Sequence, residues 1–187
     1  MKKQIVLAAL ALALILMTGF GTMAYFTSES TATNVITTGS VGVEIKETSA
    51  DKSGEEIPFT SPAEVMPGGG ISKIVRVENT GNQPAFIRVS LTYKALTEEG
   101  EATDSPNEFI SPDIDEEMWI EKDGFYYYKD IVGPGKETEP LFTEVVFSPQ
   151  MGNEYMNARF ILDVKAQGVQ SANNGFSSTE AVGFPME

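Results

Sequence analysis

Two stretches of this chain alternate apolar and polar side chains with a period of two, which is the pattern of a half-buried β-strand. In residues 85 to 94, Ala85, Ile87, Val89, Leu91 and Tyr93 share one face, while Arg88, Ser90, Thr92 and Lys94 share the other with Phe86. In residues 158 to 166, Ala158, Phe160, Leu162, Val164 and Ala166 oppose Arg159, Asp163 and Lys165. Val41, Val43 and Ile45 alternate with Glu44 and Lys46 in the same way. A slip of one residue would turn each apolar set out to water, so these registers are strongly specified. Beyond an apolar run near the N-terminus, no long segment follows the helical period of 3.6. The expected fold is therefore all-β: an antiparallel, jelly-roll-like β-sandwich, with short helices confined to loops around residues 25 to 35 or 113 to 118.

Turn chemistry separates the strand candidates. Asp123-Gly124 is the sharpest hairpin signal, and it joins Met118-Trp119-Ile120 to Phe125-Tyr126-Tyr127-Tyr128. Pro67-Gly68-Gly69-Gly70, Asn79-Thr80-Gly81-Asn82 and Gly133-Pro134-Gly135 mark further turns, where glycine supplies positive φ and proline presets it. The triple glycine reads as a turn rather than a phosphate loop, because no helix follows it. Residues 48 to 60, 97 to 113 and 170 to 187 are polar, proline-bearing or poor in apolar side chains. They are expected to be loops, the last of them a loose C-terminal tail.

Residues 1 to 24 have the form of a secretory signal peptide. Lys2 and Lys3 precede an uncharged, Ala- and Leu-rich run from Ile5 to Phe20, and Thr22 and Ala24 place small side chains where a signal peptidase requires them. Cleavage is expected between Ala24 and Tyr25. The competing reading is an uncleaved membrane anchor, since an apolar helix of this length can just span a bilayer. Cleavage leaves 25 to 187 as a single domain, secreted to the extracellular matrix or cell surface. It also takes away two lysines and no acid, so the charge moves from −14 to −16. That balance excludes nucleic acid as a partner, because phosphates would be repelled.

Catalytic signals are scarce. The chain has no histidine and no cysteine, which removes the usual general base, the HExxH zinc motif, Ser-His-Asp triads and disulfides. No catalytic residue, cofactor or metal is assigned, and the chain is not expected to be an enzyme. Asp113, Asp115, Glu116 and Glu117 form the densest acidic group, but without EF-hand spacing they read as a solvated loop before a calcium site. Trp119, Phe125, Tyr126, Tyr127 and Tyr128 can be read as a carbohydrate platform. Alternation puts half of them on each face, which favours core packing plus a tyrosine-bearing outer face.

The block Gly21-Thr22-Met23-Ala24-Tyr25-Phe26-Thr27-Ser28, followed by Asn34 and Thr38-Gly39-Ser40-Val41, resembles the start of the TasA/camelysin family. The resemblance continues through Met66-Pro67-Gly68, Val77-Glu78-Asn79-Thr80-Gly81, Phe86-Ile87-Arg88-Val89, Trp119, Gly124-Phe125-Tyr126-Tyr127-Tyr128 and Gly135. Within the family it is nearest in character to the clostridial matrix proteins. What the resemblance implies is a jelly-roll sandwich, exported, processed by a signal peptidase of the SipW type and assembled into extracellular biofilm-matrix fibres. The protease activity described for camelysin does not carry over, because an all-carboxylate site suits zinc poorly.

Cleavage would free Tyr25, Phe26 and the Thr-rich segment running to Val35 and Ile36, which contains no proline. Such a segment suits a donor strand that pairs with a neighbouring subunit head to tail, making the partner a second copy of this chain; it equally suits the first strand of the chain's own sandwich. The leading expectation is a structural fibre subunit. A cell-surface binding module, or adhesin, is the alternative.

Overall fold

The computed structural model describes residues 26–29, 32–34, 41–60, 63–97, 100–101, 106–152, 155 and 158–185. Among these residues the strands, in chain order, are β1 (Phe26–Glu29), β2 (Ala32–Asn34), β3 (Val43–Ala50), β4 (Glu56–Pro58), β5 (Ala63–Val65), β6 (Gly70–Asn79), β7 (Ala85–Thr97), β8 (Gly100–Glu101), β9 (Ile110–Pro112), β10 (Trp119–Lys122), β11 (Phe125–Tyr128), β12 (Phe142–Phe147) and β13 (Arg159–Gln170). They form two sheets. The first has the order β10-β11-β7-β13-β1-β5, with β2 also on β13 and β8 on β7; the second has the order β4-β3-β6-β12-β9. Pairing is antiparallel except where β1 and β2 run parallel to β13. The fold is an all-β sandwich.

The alternating segments became its centre. Strands β7 and β13 pair along twelve positions, from Arg159 opposite Leu96 to Gln170 opposite Ala85. Their inward residues Ile87, Val89, Phe160, Leu162, Val164 and Ala166 meet Val43, Ile45, Val75, Val77 and Phe142 of the second sheet in one core. Phe160 contacts the rings of Phe147 and Tyr155, with centroids 5.6 and 5.8 Å away. The hairpin formed as its turn residues require. Asp123 and Gly124 have φ of 53° and 79°, the two positive values of a type I′ turn, and Trp119 pairs with Tyr128.

Three expectations are corrected. Among the described residues there is no α-helix: the described parts of 25 to 35 are strands β1 and β2, and 113 to 118 is a turn. In that turn Asp115 Oδ1 accepts from the Glu117 amide at 3.0 Å, and the Asp115 carbonyl accepts from Trp119, so the polar side chain competes with helix formation. A 3-10 turn occurs at Pro106–Glu108. The segments 48 to 60 and 97 to 113 also contain strand, because β4, β8 and β9 pair at sheet margins where cross-strand partners outweigh a polar composition. The third correction concerns residues 170 to 187: through Pro185 they are irregular but fastened down, as described below. The signal-peptide helix expected within residues 1 to 24 lies outside the described residues.

The sheets approach closely where Gly168 of β13 faces β3. A Cβ there would lie 2.7 Å from Val43 Cγ1 and 3.0 Å from Val41 Cγ1, so only glycine admits both valines. The adjoining turn is held by Asn79, which is fully buried. Its side-chain amide donates to the carbonyls of Gln83 and Val132, each at 2.8 Å, and its Oδ1 accepts from the Gly81 amide at 3.0 Å.

Candidate assembly interface

Strand β13 is the seam on which an exchange of strands would act. One edge is fully occupied by β7. On the opposite edge, the described pairing comes from the N-terminal segment alone: Thr27 to Glu29 lie beside Arg159 to Ile161, and Ala32 to Asn34 beside Val164 to Ala166. Both contacts are short and parallel, a pairing slightly less stable per residue than the antiparallel one. Strand β1 also carries β5, with Phe26, Thr27 and Ser28 opposite Val65, Glu64 and Ala63. Withdrawing residues 26–34 would bare the backbone of Arg159–Ala166, open the core beside Phe160, Leu162 and Val164, and release β5.

Of the residues expected to form the donor strand, Phe26 opens β1. Tyr25, Val35 and Ile36 lie outside the described residues, as does the expected cleavage junction Ala24-Tyr25.

The half of the second sheet that β2 and β5 touch, along β3 and β6, has a charged floor. Lys73, 1% exposed, extends from β6 to within 2.8 Å of Glu47 Oε1 on β3, and its ammonium lies 4.2 Å from the centre of the Phe59 ring. Burial pushes the Lys73 amine below its ordinary pKa, opposed by the Glu47 charge. This pair was legible in principle. Lys73 interrupts the apolar alternation of Ile71, Val75 and Val77, and Glu47 interrupts that of Val43 and Ile45.

A second feature missed from sequence is the fastening of the C-terminal segment to the outer face of the first sheet. Arg88 of β7 is the clamp. Its Nε donates to Gln167 Oε1 at 2.7 Å, Nη1 to the Tyr127 hydroxyl at 3.1 Å and Nη2 to the Pro185 carbonyl at 3.0 Å. The guanidinium carbon sits 3.8 Å from the Phe125 ring and 4.5 Å from that of Phe184. The Ser178 hydroxyl donates to the Tyr128 carbonyl at 2.6 Å, and Phe184 meets Tyr127 edge-on at 6.0 Å. Phe86, Gln167 and Val169 all point outward and are nonetheless buried, as this added layer explains.

The tyrosine-bearing outer face expected from alternation is accordingly covered. Tyr127 is 7% exposed, and Tyr126 and Tyr128 turn inward, with the Tyr128 ring tilted against that of Trp119 at 5.0 Å. In the acidic group, the Asp113 carboxylate accepts from the Thr143 hydroxyl and the amides of Thr143 and Glu144 at 2.6 to 2.7 Å. The Asp115 carboxylate accepts from the Glu117 and Met118 amides. Among the described residues, no three metal-ligating side chains come together.

No family model, no curated protein and no solved structure matches the chain.

Proposed function

We propose that this chain is a secreted structural subunit of extracellular matrix fibres, polymerising head to tail by exchange of its N-terminal strand after residues 1 to 24 are removed. One observation carries the reading: among the described residues, a twelve-residue central strand is completed on one edge by short, parallel pairs from the segment that cleavage would free. The same pairs made between chains keep every backbone hydrogen bond and join the subunits through a contact that does not close, which yields a filament.

The resemblance to the TasA/camelysin family supports the reading, including a jelly-roll form of the sandwich and a signal peptidase of the SipW type as the processing partner. Covering of Tyr127 by the C-terminal segment weighs against an adhesin that binds through a tyrosine platform.

Electron microscopy of purified residues 25–187, beside the same protein with a few extra residues before Tyr25, tests the proposal. Filaments are expected only from the native N-terminus. Monodisperse particles from both preparations would refute it.

A further inference from the structure

One side chain closes residues 170 to 182 into a loop. The Asn174 side-chain amide donates to the carbonyls of Gln170 and Val182, at 3.0 and 2.9 Å, and its Oδ1 accepts from the Val182 amide at 2.9 Å. Gln170 ends β13, so Asn174 ties the C-terminal segment to the end of the central strand. The Arg88 clamp and the Ser178 bond to Tyr128 hold the segment further along. The turn that carries Asn174 also calls for glycine beside it, since the residue at 175 has a φ of 85°. Asn174-Gly175 is the one Asn-Gly pair in the chain. In such a pair no Cβ on the following residue shields its backbone nitrogen from the asparagine's amide carbon.

The structure assigns Asn174 as a site of hydrolytic modification, its side-chain amide serving as a one-way latch on the C-terminal layer. In the reaction the Gly175 amide gives up its proton to base and its nitrogen attacks Asn174 Cγ. The Cγ–Nδ2 bond breaks, ammonia leaves with a proton from water, and a five-membered imide remains. Water then opens the imide to aspartate or isoaspartate. The net change is one water taken up and one ammonia released, with no oxidation or reduction. The closed segment holds this reaction back, because the nitrogen to be expelled makes two of the three bonds that fix the side chain. Ring closure therefore belongs to the opened segment, and its rate follows the population of that state. Afterwards the segment closes poorly. A carboxylate only accepts hydrogen bonds, so two donors are replaced by a charge facing the Gln170 and Val182 carbonyl oxygens. Each opening that ends in hydrolysis thus withdraws a chain from the closed population permanently. What it uncovers is the outer face of the first sheet, where Phe86, Tyr127 and Val169 are buried.

The test incubates residues 25–187 in mildly alkaline buffer beside a synthetic peptide of residues 170–183, and follows conversion at Asn174 by peptide mass spectrometry. The folded chain should convert at least roughly tenfold more slowly than the peptide, and Arg88→Ala should convert roughly tenfold faster than wild type, because losing the clamp raises the open population. Asn174→Asp installs the product directly. In that variant amides 171 to 185 should exchange hydrogen roughly tenfold faster than in wild type, while those of β7 and β13 keep their protection. Conversion as fast in the folded chain as in the peptide, or at the wild-type rate in Arg88→Ala, would overturn the latch. So would wild-type protection of amides 171 to 185 in Asn174→Asp.

Discussion

Replacing Arg88 should detach the C-terminal segment. In Arg88→Ala, three hydrogen bonds from a charged donor are lost, each contributing about 1 kcal/mol once partial exposure is allowed for. The stacking on Phe125 and Phe184 adds about 0.5 kcal/mol per ring. Gln167, 4% exposed, would be left with its Oε1 facing no donor, which adds to the loss. Against these stands the chain entropy regained by the freed segment. The expected net loss is about 2 to 4 kcal/mol, read from urea unfolding. Hydrogen exchange should place the earliest opening at residues 171 to 185, because their amides depend on this clamp. The decisive variant is Arg88→Lys, which keeps the charge. One ammonium cannot reach acceptors on Gln167, Tyr127 and Pro185 in a planar fork, so lysine should recover less than half of the loss. Full recovery by lysine, or a loss under about 0.5 kcal/mol in the alanine variant, would refute the clamp.

Three further outcomes follow. Gly168→Ala should destabilise by about 1 to 3 kcal/mol in thermal or urea unfolding, because the added methyl overpacks against Val41 and Val43. Asn79→Ala removes three hydrogen bonds at a buried turn and should cost about 3 kcal/mol by the same measurement. On the acid side, burial would raise the Asp113 carboxyl, but its bonds from the Thr143 hydroxyl and the Thr143 and Glu144 amides outweigh burial and hold it below its ordinary 3.8. A depressed folded-state pKa gives stability that is complete above the unfolded value and disappears as pH falls through the folded one. The monomer should thus lose stability in acid, less steeply in Asp113→Asn, while filament assembly speeds up as carboxylates are neutralised or salt screens them. Slower assembly under either change would contradict electrostatic control.

What the sequence disclosed depended on whether a residue's neighbours were fixed by local pattern. Alternation specified β7, β13 and the start of β3, and Asp123-Gly124 specified the β10–β11 hairpin, because periodicity and turn backbone are properties of consecutive residues. Strand β4 was hidden. Glu56–Pro58 is short, exposed and proline-bearing, and it is a strand because Ser49 and its neighbours offer an edge to pair with. The C-terminal segment was misjudged for a related reason. It is rich in Ser, Asn and Gly, and what orders it is Arg88, some 97 residues away in sequence from its partner Pro185. Alternation placed Arg88 correctly on the outer face but gave no sign that a further layer lay above it. The N-terminal segment was read both as a donor and as a first strand of its own sandwich. Its pairing beside β13 within one chain is the arrangement that an exchange between chains would reproduce.

The most direct test uses the register of that pairing and the absence of any cysteine from the chain. Glu29 and Ile161 are partners across β1 and β13. Residues 25–187 carrying Glu29→Cys and Ile161→Cys would be assembled under reducing conditions, oxidised and run without reductant. Strand exchange predicts a covalent ladder of dimers, trimers and longer chains that collapses to monomer on reduction. Filaments yielding only internally bridged monomers would show that each N-terminal strand stays in its own subunit, contradicting the account.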